Sequence, residues 1–565
     1  MLDALDRALR RDPHRPAVLG TTRTGATRTR ATRGELSDLA GHYAAALHAR
    51  GLEPGGTVGV AVRPGPRALA VMLAAHRLGL RAAVLDPGAG PDVLRARLAL
   101  ARPDVVLADA TAQAVAGWAR PLARRARLAL PDLAALGPVA TVGPRLPGCA
   151  PALDAGRAVA LPRPVDEDGD AVIVFTSGTT SRPRAVVHSR SSLAAGMATV
   201  TGLVRPEAGL PVLGGTFFVL VPSLASGAPV ALPARSPRVL ARQLRRLEPQ
   251  ATYLTPPALR AALDAGAGFT GRVWTGSAPA GAGLLTRVKD AGADEAWGVY
   301  ALTELFPAAA VEQADKAAFT AAGDLVGRPL PGVEARTGAA GELLLSGPAA
   351  RHRYLGEDPD PWVATGDRAR LADGRIVLEG RCKDMVLRRA ENIYPGLYEP
   401  ALHVPGVELA LLVGVAAGDG DERLVAVVQP ARGADHGRVR AALAGPLERM
   451  GAARPDALLL ADIPLSGRSL KPDRAATARL AATRLAGDPE AGTTSRAGNR
   501  RPRFRRPQPR LSGSRLPGAA PGAGLPGAAV RAAAGHPAAA SWSEATPPDT
   551  RPSPGVRPGA PGSAG

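Results

Sequence analysis

One stretch of this chain combines residue types that suit the binding of phosphate. A β-branched and aromatic run over residues 171–175 predicts a buried strand, and it leads directly into a loop of hydroxyl groups, one glycine and two arginines. Backbone amides in such a loop can form an anion-binding nest, and arginine adds charge-assisted donors. The residues that this hypothesis assigns to phosphate are Thr176, Ser177, Gly178, Thr179, Thr180 and Arg184. The alternative interpretation is a polar turn between two strands.

Alternating helix and strand patterns surround this loop. Before and after it, short apolar strands are separated by helical segments of about ten residues or more, which predicts parallel βαβ units. From residue 323 the chain is rich in Gly and Pro with short alternating strands, which indicates a small β subdomain. The predicted fold class is α/β, with a large N-terminal domain over 1–380 and a smaller α+β domain over 381–485.

Residues 486–565 differ in composition from the rest of the chain. Pro, Gly, Ala, Ser and Arg dominate this segment, as in RRPRFRRPQPR, and no hydrophobic period is present. Such a segment buries too little apolar surface to offset the entropy of ordering. We therefore predict a disordered tail.

Composition limits the class of protein and its location. The 565 residues are 45% hydrophobic but only 3% aromatic, so aliphatic side chains must form most of the core. Two cysteines, Cys149 and Cys382, cannot build a disulfide framework, which favours a reducing, cytoplasmic location. Leu2, Leu5 and Leu9 share one face of a predicted helix, but Asp and Arg break the apolar run that a secretion signal needs, so we expect no such signal. Charged residues also interrupt every longer apolar run, so we expect no transmembrane segment.

The net charge of +20 raises the question of anionic partners. Arginine is spread along the whole chain, and the aromatic residues that usually accompany a nucleic-acid surface are scarce. A solvated, arginine-rich surface is therefore the favoured interpretation, and no nucleic-acid partner is expected.

Further segments resemble motifs of the adenylate-forming superfamily, which includes acyl-CoA synthetases and the AMP-dependent synthetases and ligases. These segments follow one another in the same order as in that family and are spread over most of residues 1–485. The loop at 176–184 is similar to that family's phosphate loop. The other matching segments are Gly276-Ser277-Ala278-Pro279, Tyr300-Ala301-Leu302-Thr303-Glu304, Thr365-Gly366-Asp367, Gly380-Arg381-Cys382-Lys383-Asp384 and a lysine motif around Lys471.

The resemblance implies a reaction and a role for each segment. ATP and Mg²⁺ would activate a carboxylic acid as an acyl adenylate, and CoA or a phosphopantetheine carrier would accept the acyl group. The implied catalytic residues are Lys471, Thr303 and Glu304, and Glu304 would also hold Mg²⁺. The loop 176–184 would contact the β- and γ-phosphates of the nucleotide. Adenine would be contacted by Gly276 to Pro279 and by Tyr300, and ribose by Asp367 and Arg381. Lys383 would mark the hinge about which a mobile C-terminal domain rotates.

Six positions depart from the family's pattern. Arg184 stands where the family has Lys, and Ser181, Ala185, Ala301, Ala390 and Leu470 stand where it has Gly. A replacement costs about 1 to 2 kcal/mol wherever the glycine has a positive φ. These departures motivate a hypothesis of another class, a nucleotide-binding pseudoenzyme.

The acid's pocket is expected in segment 211–226. Its content of Gly, Leu, Phe217 and Phe218 predicts an apolar lining, and no Asp or Lys is present there to pair with an amino acid's ammonium group. We therefore expect a fatty or other hydrophobic acid, although both Phe residues could equally be ordinary core. Alternatives within the same chemistry are an acyl-AMP ligase that loads a carrier protein and a β-lactone synthetase. A monomer or a homodimer is expected.

Overall fold

A computed structural model describes residues 1–85, 91–116, 137–154, 168–176, 184–388, 391–418, 421–466 and 470–487. Residues Met1–Arg496 form one compact unit. The predicted division at residue 380 stays a prediction, and the tail predicted to be disordered lies, apart from its first two residues, outside the described residues.

The helices of the described ranges match the predicted alternation closely. They are α1 Leu2–Arg10, α2 Arg33–His48, α3 Pro66–Arg77, α4 Pro91–Ala101, α5 Ala110–Ala116, α6 Arg190–Val204, α7 Phe217–Ala225, α8 Pro237–Leu247, α9 Pro256–Asp264, α10 Ala282–Asp290, α11 Gln313–Ala318, α12 His436–Arg449 and α13 Arg474–Gly487. Local sequence explains several starts: Thr32 and Glu35 form a capping box before α2, and α3, α8 and α9 begin at a proline.

The described strands have seven residues or fewer, except Val363–Ala372, Val407–Gly418 and Asp421–Pro430. They are β1 Pro16–Thr21, β2 Thr27–Thr32, β3 Thr57–Ala61, β4 Arg81–Val84, β5 Val105–Asp109, β6 Val139–Val142, β7 Asp170–Phe175, β8 Ala185–Ser189, β9 Val212–Leu213, β10 Val230–Ala231, β11 Ala251–Tyr253, β12 Arg272–Thr275, β13 Glu295–Tyr300, β14 Ala309–Glu312, β15 Asp324–Pro329, β16 Glu334–Thr337, β17 Glu342–Ser346, β18 Arg353–Tyr354, β19 Val363–Ala372, β20 Arg375–Arg381, β21 Val386–Arg388, β22 Glu391–Ile393, β23 Val407–Gly418, β24 Asp421–Pro430, β25 Ala457–Leu460, β26 Leu465–Ser466 and β27 Lys471–Pro472.

Two large sheets carry the N-terminal part of the chain. The first has seven strands in the order β18-β8-β7-β4-β3-β5-β6, and the five from β7 to β6 are parallel. The second has thirteen strands, and its run β13-β12-β11-β9-β10-β1 is parallel. The prediction of an α/β fold with parallel βαβ units is thereby confirmed.

The strands of the expected small β subdomain continue the thirteen-stranded sheet. Strand β14 pairs with β13 antiparallel, and β15, β20, β19, β17 and β16 follow in that order. Farther along the chain, β23, β24 and β25 form a separate three-stranded sheet.

The core of the first unit is aliphatic, as the composition predicts. Leu2, Leu5 and Leu9 of α1 are buried on one face, together with Leu36 of α2 and Leu73 of α3. In the part of the chain that the structure describes, no helix is both long and apolar enough to cross a bilayer.

The sequence predicts a helix near residues 397–403, and this prediction is wrong. The chain makes two short 3₁₀ turns there, Pro395–Leu397 and Glu399–Leu402. The two prolines lack amide donors for a longer helix. Gly396 also packs directly on the backbone of Gly380, where an added Cβ would lie 2.4 Å from the Gly380 Cα.

Candidate active site

The predicted phosphate loop connects the antiparallel strands β7 and β8. Phe175 lies opposite Ala185, and the Thr176 amide donates to the Arg184 carbonyl at 3.1 Å, so the two ends of the loop are held together. Ser177, Gly178, Thr179 and Thr180 lie outside the described residues. The loop thus starts from a hairpin whose strands are fixed in a sheet.

Glu304 lies beside the base of this loop. Strand β13 ends at Tyr300, and Glu304 follows in the next turn. The Tyr354 hydroxyl donates to Glu304 Oε1 at 3.0 Å, and the Arg351 amide donates to the Glu304 carbonyl at 2.6 Å. Tyr354 belongs to β18, which pairs with β8 next to Arg184. The structure therefore brings the predicted metal-binding carboxylate and the phosphate loop together.

Arg184 and Arg351 both lie close to the ring of Tyr354. Their guanidinium carbons lie 3.5 Å and 4.6 Å from the ring centroid, within the range of a cation–π contact. Burial and the adjacent Glu304 carboxylate raise the pKa of Tyr354 to about 12. The phenol is therefore a neutral hydrogen-bond donor at physiological pH.

His188 fixes the backbone at Thr303, the predicted α-phosphate contact. Its Nε2 lies 2.8 Å from the Thr303 carbonyl oxygen, and its Nδ1 lies 3.3 Å from Ser192 Oγ. A carbonyl can only accept, so Nε2 carries the proton. Burial lowers the pKa of His188, which is 1% exposed, and keeps the ring neutral.

Tyr300, Asp367 and Arg381 form a hydrogen-bonded cluster. The Tyr300 hydroxyl donates to Asp367 Oδ2 at 2.6 Å, and Arg381 Nε lies 2.8 Å from Asp367 Oδ1. Asp367 and Arg381 stand directly opposite each other on β19 and β20. Burial raises the pKa of Asp367 despite the opposing charge of Arg381, and burial together with Asp367 raises that of Tyr300 well above its usual value.

Lys471 belongs to a small hairpin near this cluster. It lies opposite Ser466, where β26 pairs with β27. Partial burial and the positive charge of Arg381 lower the pKa of Lys471, while Asp367 opposes this shift. Lys471 is thus brought to the same region as the predicted ribose contacts, although its side chain is exposed.

The glycine replacements have unequal backbone consequences. Leu470 adopts φ = 49°, a left-handed conformation that disfavours a bulky side chain, whereas Ala185 and Ala301 are not among the positive-φ residues. Only Leu470, among these three, therefore carries the expected strain. Ser181 and Ala390 lie outside the described residues.

The predicted adenine segment lies at the end of the neighbouring strand. Gly276 follows β12 and packs so tightly on β13 that an added Cβ would lie 2.9 Å from the Val299 carbonyl oxygen. The next residue, Ser277, shares a 3.1 Å hydrogen bond with the Tyr253 hydroxyl. Ala278 is half-buried and Pro279 is exposed. Because ligands of α/β sheets bind beyond the carboxyl ends of parallel strands, this position suits a nucleotide.

The proposed acid-binding segment reaches the same region through aromatic contacts. Phe217 and Phe218 are both half-buried at the start of α7. The Phe218 ring centroid lies 4.1 Å from that of Phe306, which in turn meets the His188 ring edge-on at 5.4 Å. Both Phe residues also pack against the aliphatic core, so a purely structural role stays open.

Lys383 is exposed in a 3₁₀ turn, Cys382–Asp384, directly after Arg381. The neighbouring Asp384 lies 3.1 Å from Arg474 of the C-terminal helix, and Arg474 also binds Glu399 at 2.7 Å. The hinge role of Lys383 stays a prediction.

Glu304 offers a suitable donor for Mg²⁺. Magnesium is usually held by one or two carboxylates together with substrate phosphates and waters, and carboxylate oxygen is a ligand it prefers. Within the described ranges no group of three or more His, Cys, Asp or Glu could hold a metal by itself. The residues present fit an ion that is shared with phosphate, with Glu304 as its protein ligand.

Comparison with known families identifies the chain's relatives. Residues 5–355 match the family described as AMP-binding enzyme. The chain belongs to this family. Its members are adenylate-forming acyl- and aryl-CoA ligases that act on small carboxylic acids with CoA or a carrier protein.

Individual AMP-binding relatives are distant. The chain is 28% identical over 463 residues to feruloyl-CoA synthase of an Amycolatopsis species, covering 76% of this chain and 88% of that protein. It is 28% identical over 531 residues to medium/long-chain-fatty-acid–CoA ligase FadD8 of Mycobacterium tuberculosis, covering 83% and 88%. The amide bond synthetase McbA from Marinactinospora thermotolerans has the same fold, with a TM-score of 0.66, 23% identity and coverage of 85% and 99%.

Two residues of the site were not identified from sequence. His188 and Tyr354 contact Thr303 and Glu304 from distant parts of the chain. A single histidine within the apolar run of β8 was the available signal for the first. No sequence signal pointed to Tyr354, which lies within the polar sequence RHRYLGED.

Proposed function

We propose that this AMP-binding protein uses ATP to activate a hydrophobic, fatty-type carboxylic acid and then transfers the acyl group to the thiol of CoA. The observation that carries the proposal is the arrangement of the site. Glu304 lies at the base of the phosphate loop, and Lys471 lies near the cluster of Asp367 and Arg381. One nucleotide could contact all of these groups.

In the first step, a carboxylate oxygen of the acid attacks the α-phosphorus of ATP. A new P–O bond forms, the bond to the β-phosphate's bridging oxygen breaks, and pyrophosphate leaves. Asp367 would hold the ribose, and Lys471 would stabilise negative charge on the α-phosphate as it develops. Thr303 would orient the α-phosphate from a backbone that His188 fixes. Mg²⁺, when bound at Glu304, would neutralise phosphate charge.

In the second step, a thiolate attacks the acyl carbon and AMP leaves with the acid's oxygen. We favour CoA as the thiol, in a reducing cytoplasmic setting. A carrier-protein thiol and, for a β-hydroxy acid, internal closure to a β-lactone are alternatives within the same chemistry. The apolar contact between Phe218 and Phe306 supports a hydrophobic acid.

Acid-dependent exchange of labelled pyrophosphate into ATP tests the first step. We expect exchange with at least one medium- or long-chain or aryl acid, and no exchange without acid. Product analysis with CoA, with a carrier protein and with a β-hydroxy acid then separates the three acceptors. Absence of exchange across fatty, aryl and hydroxy acids would refute the proposal.

The strained backbone at Leu470 favours a second candidate, a nucleotide-binding protein without turnover. This candidate requires tight ATP binding with no exchange for any acid. Loss of measurable exchange in Lys471→Ala would exclude it, because that result requires turnover in the unaltered protein.

A further inference from the structure

Strand β18 and the residues next to it contact both the end of the phosphate loop at Arg184 and the proposed metal ligand Glu304. On one side, Arg353 and Tyr354 pair with Val187 and Val186 of β8, and the Leu355 amide donates to the Ala185 carbonyl at 2.9 Å. These contacts reach the residue directly after Arg184. The position of β18 is therefore fixed relative to the end of the phosphate loop.

On its other side, the same segment holds Glu304 twice. The Arg351 amide donates to the Glu304 carbonyl, and the Tyr354 hydroxyl donates to Glu304 Oε1 at 3.0 Å. Within the described ranges no hydrogen bond reaches the second carboxylate oxygen, Oε2. One oxygen of Glu304 is thus fixed, and the other is available to a ligand.

The ring of Tyr354 is itself held in place. It is 7% exposed, and the guanidinium carbons of Arg184 and Arg351 lie 3.5 Å and 4.6 Å from its centroid. Arg184 is also anchored by Glu357 at 3.1 Å. Burial and these two contacts restrict the ring, so little conformational freedom must be lost when the hydroxyl binds Glu304.

We propose that Tyr354 is a positioning residue that orients Glu304, leaving Oε2 directed to the metal ion shared with the ATP phosphates. This inference rests on the proposed function, because it assumes that Glu304 contacts that ion. Through β18, the same tyrosine sets the carboxylate relative to the phosphate loop. Partners that orient a metal ligand typically contribute about 10- to 100-fold to metal affinity.

Tyr354→Phe tests this role, since it keeps the ring and its contacts with the two arginines and removes only the hydroxyl. The probe is Mn²⁺, whose binding in the presence of ATP is followed by electron paramagnetic resonance on the full chain. We expect Mn²⁺ to bind about 10- to 100-fold more weakly to the variant. ATP affinity without metal should stay the same, and the Mg²⁺ concentration for half-maximal pyrophosphate exchange should rise.

Tyr43→Phe is the matched control. Tyr43 is a buried tyrosine of α2, 3% exposed, in the core between α2 and α3. It should bind Mn²⁺ as the unaltered protein does. Glu304→Gln should lose Mn²⁺ affinity by itself, and adding Tyr354→Phe to it should have little further effect, because the two residues act as a unit.

Two results overturn the inference and are distinguishable from failure of the proposed function. Equal Mn²⁺ affinity of Tyr354→Phe and the unaltered protein would show that the hydroxyl does not position the metal ligand. Fully additive losses with Glu304→Gln would show that Tyr354 acts elsewhere. If the unaltered protein bound no Mn²⁺ with ATP, the proposed function would fail together with this inference.

Discussion

Asp367→Asn is a sharp perturbation of the proposed nucleotide site. The carboxylate is 6% exposed, accepts a hydrogen bond from Tyr300 on one oxygen and forms an ion pair with Arg381 through the other. Asparagine keeps the shape, removes the charge and offers one accepting oxygen instead of two. Any ligand group that donates to both oxygens must therefore lose one of its hydrogen bonds.

The structure sets the size of the expected effects. The Arg381 side chain is 48% exposed, so its ion pair contributes below about 1 kcal/mol to stability. The Asn oxygen can still accept from Tyr300, and we expect a loss of about 1 to 2 kcal/mol in the free energy of unfolding. Two ribose hydroxyls donating to a carboxylate would lose about 1.5 to 3 kcal/mol, which weakens ATP binding about 10- to 150-fold.

Urea unfolding and calorimetric titration with ATP measure the two effects separately. Asp264→Asn is the matched control, since Asp264 binds Arg287 at 2.7 Å with both side chains nearly half exposed. It should cost below about 1 kcal/mol and leave ATP affinity unchanged. A folded Asp367→Asn that binds ATP as tightly as the unaltered protein would refute the ribose assignment.

Three further substitutions give separate tests. Lys471→Ala should lower the rate of pyrophosphate exchange at least about 100-fold, as loss of a transition-state donor does, with ATP affinity by calorimetry little changed. Asp170→Asn should lose about 2 kcal/mol at pH 7 in urea unfolding, since Asp170 holds Arg353 at 2.6 Å and 2.8 Å. Burial opposes the lowering of the Asp170 pKa, but Arg353 still holds that pKa below its ordinary value of 3.8. The stability difference between the unaltered protein and Asp170→Asn should therefore persist above pH 3.8 and shrink as the pH falls through the lower pKa of the folded state. Leu470→Gly should relieve about 1 to 2 kcal/mol of strain in the left-handed backbone and cost about 0.5 to 1 kcal/mol in backbone entropy, so the variant should be as stable as the unaltered protein or more stable. A lower free energy of unfolding in urea would contradict the strain argument.

Sequence predicts the elements of this fold better than their arrangement. The apolar runs at β3, β5 and β12 and the amphipathic spacing of Leu2, Leu5 and Leu9 are local properties, and the structure follows them. The order of strands is not local. That β14 to β17, β19 and β20 extend the thirteen-stranded sheet, whereas β18 joins the seven-stranded one, depends on pairing between distant segments, which periodicity does not encode.

The same distinction holds within the site. Motif resemblance predicts site roles for Glu304, Asp367 and Lys471, because each belongs to a recognisable short segment. Tyr354 reaches Glu304 across 50 residues, and His188 reaches Thr303 across 115, so only the folded chain brings them together. Sequence patterns did not identify Tyr354 and His188, because both contact other site residues and neither has an expected ligand contact of its own.

The transfer of an oxygen atom tests the central claim most directly. With an ¹⁸O-labelled carboxylic acid that supports exchange, the protein should form AMP carrying one ¹⁸O atom and unlabelled pyrophosphate, because the acid's oxygen attacks the α-phosphorus. Label in inorganic phosphate together with ADP would place the attack at the γ-phosphorus and contradict the account.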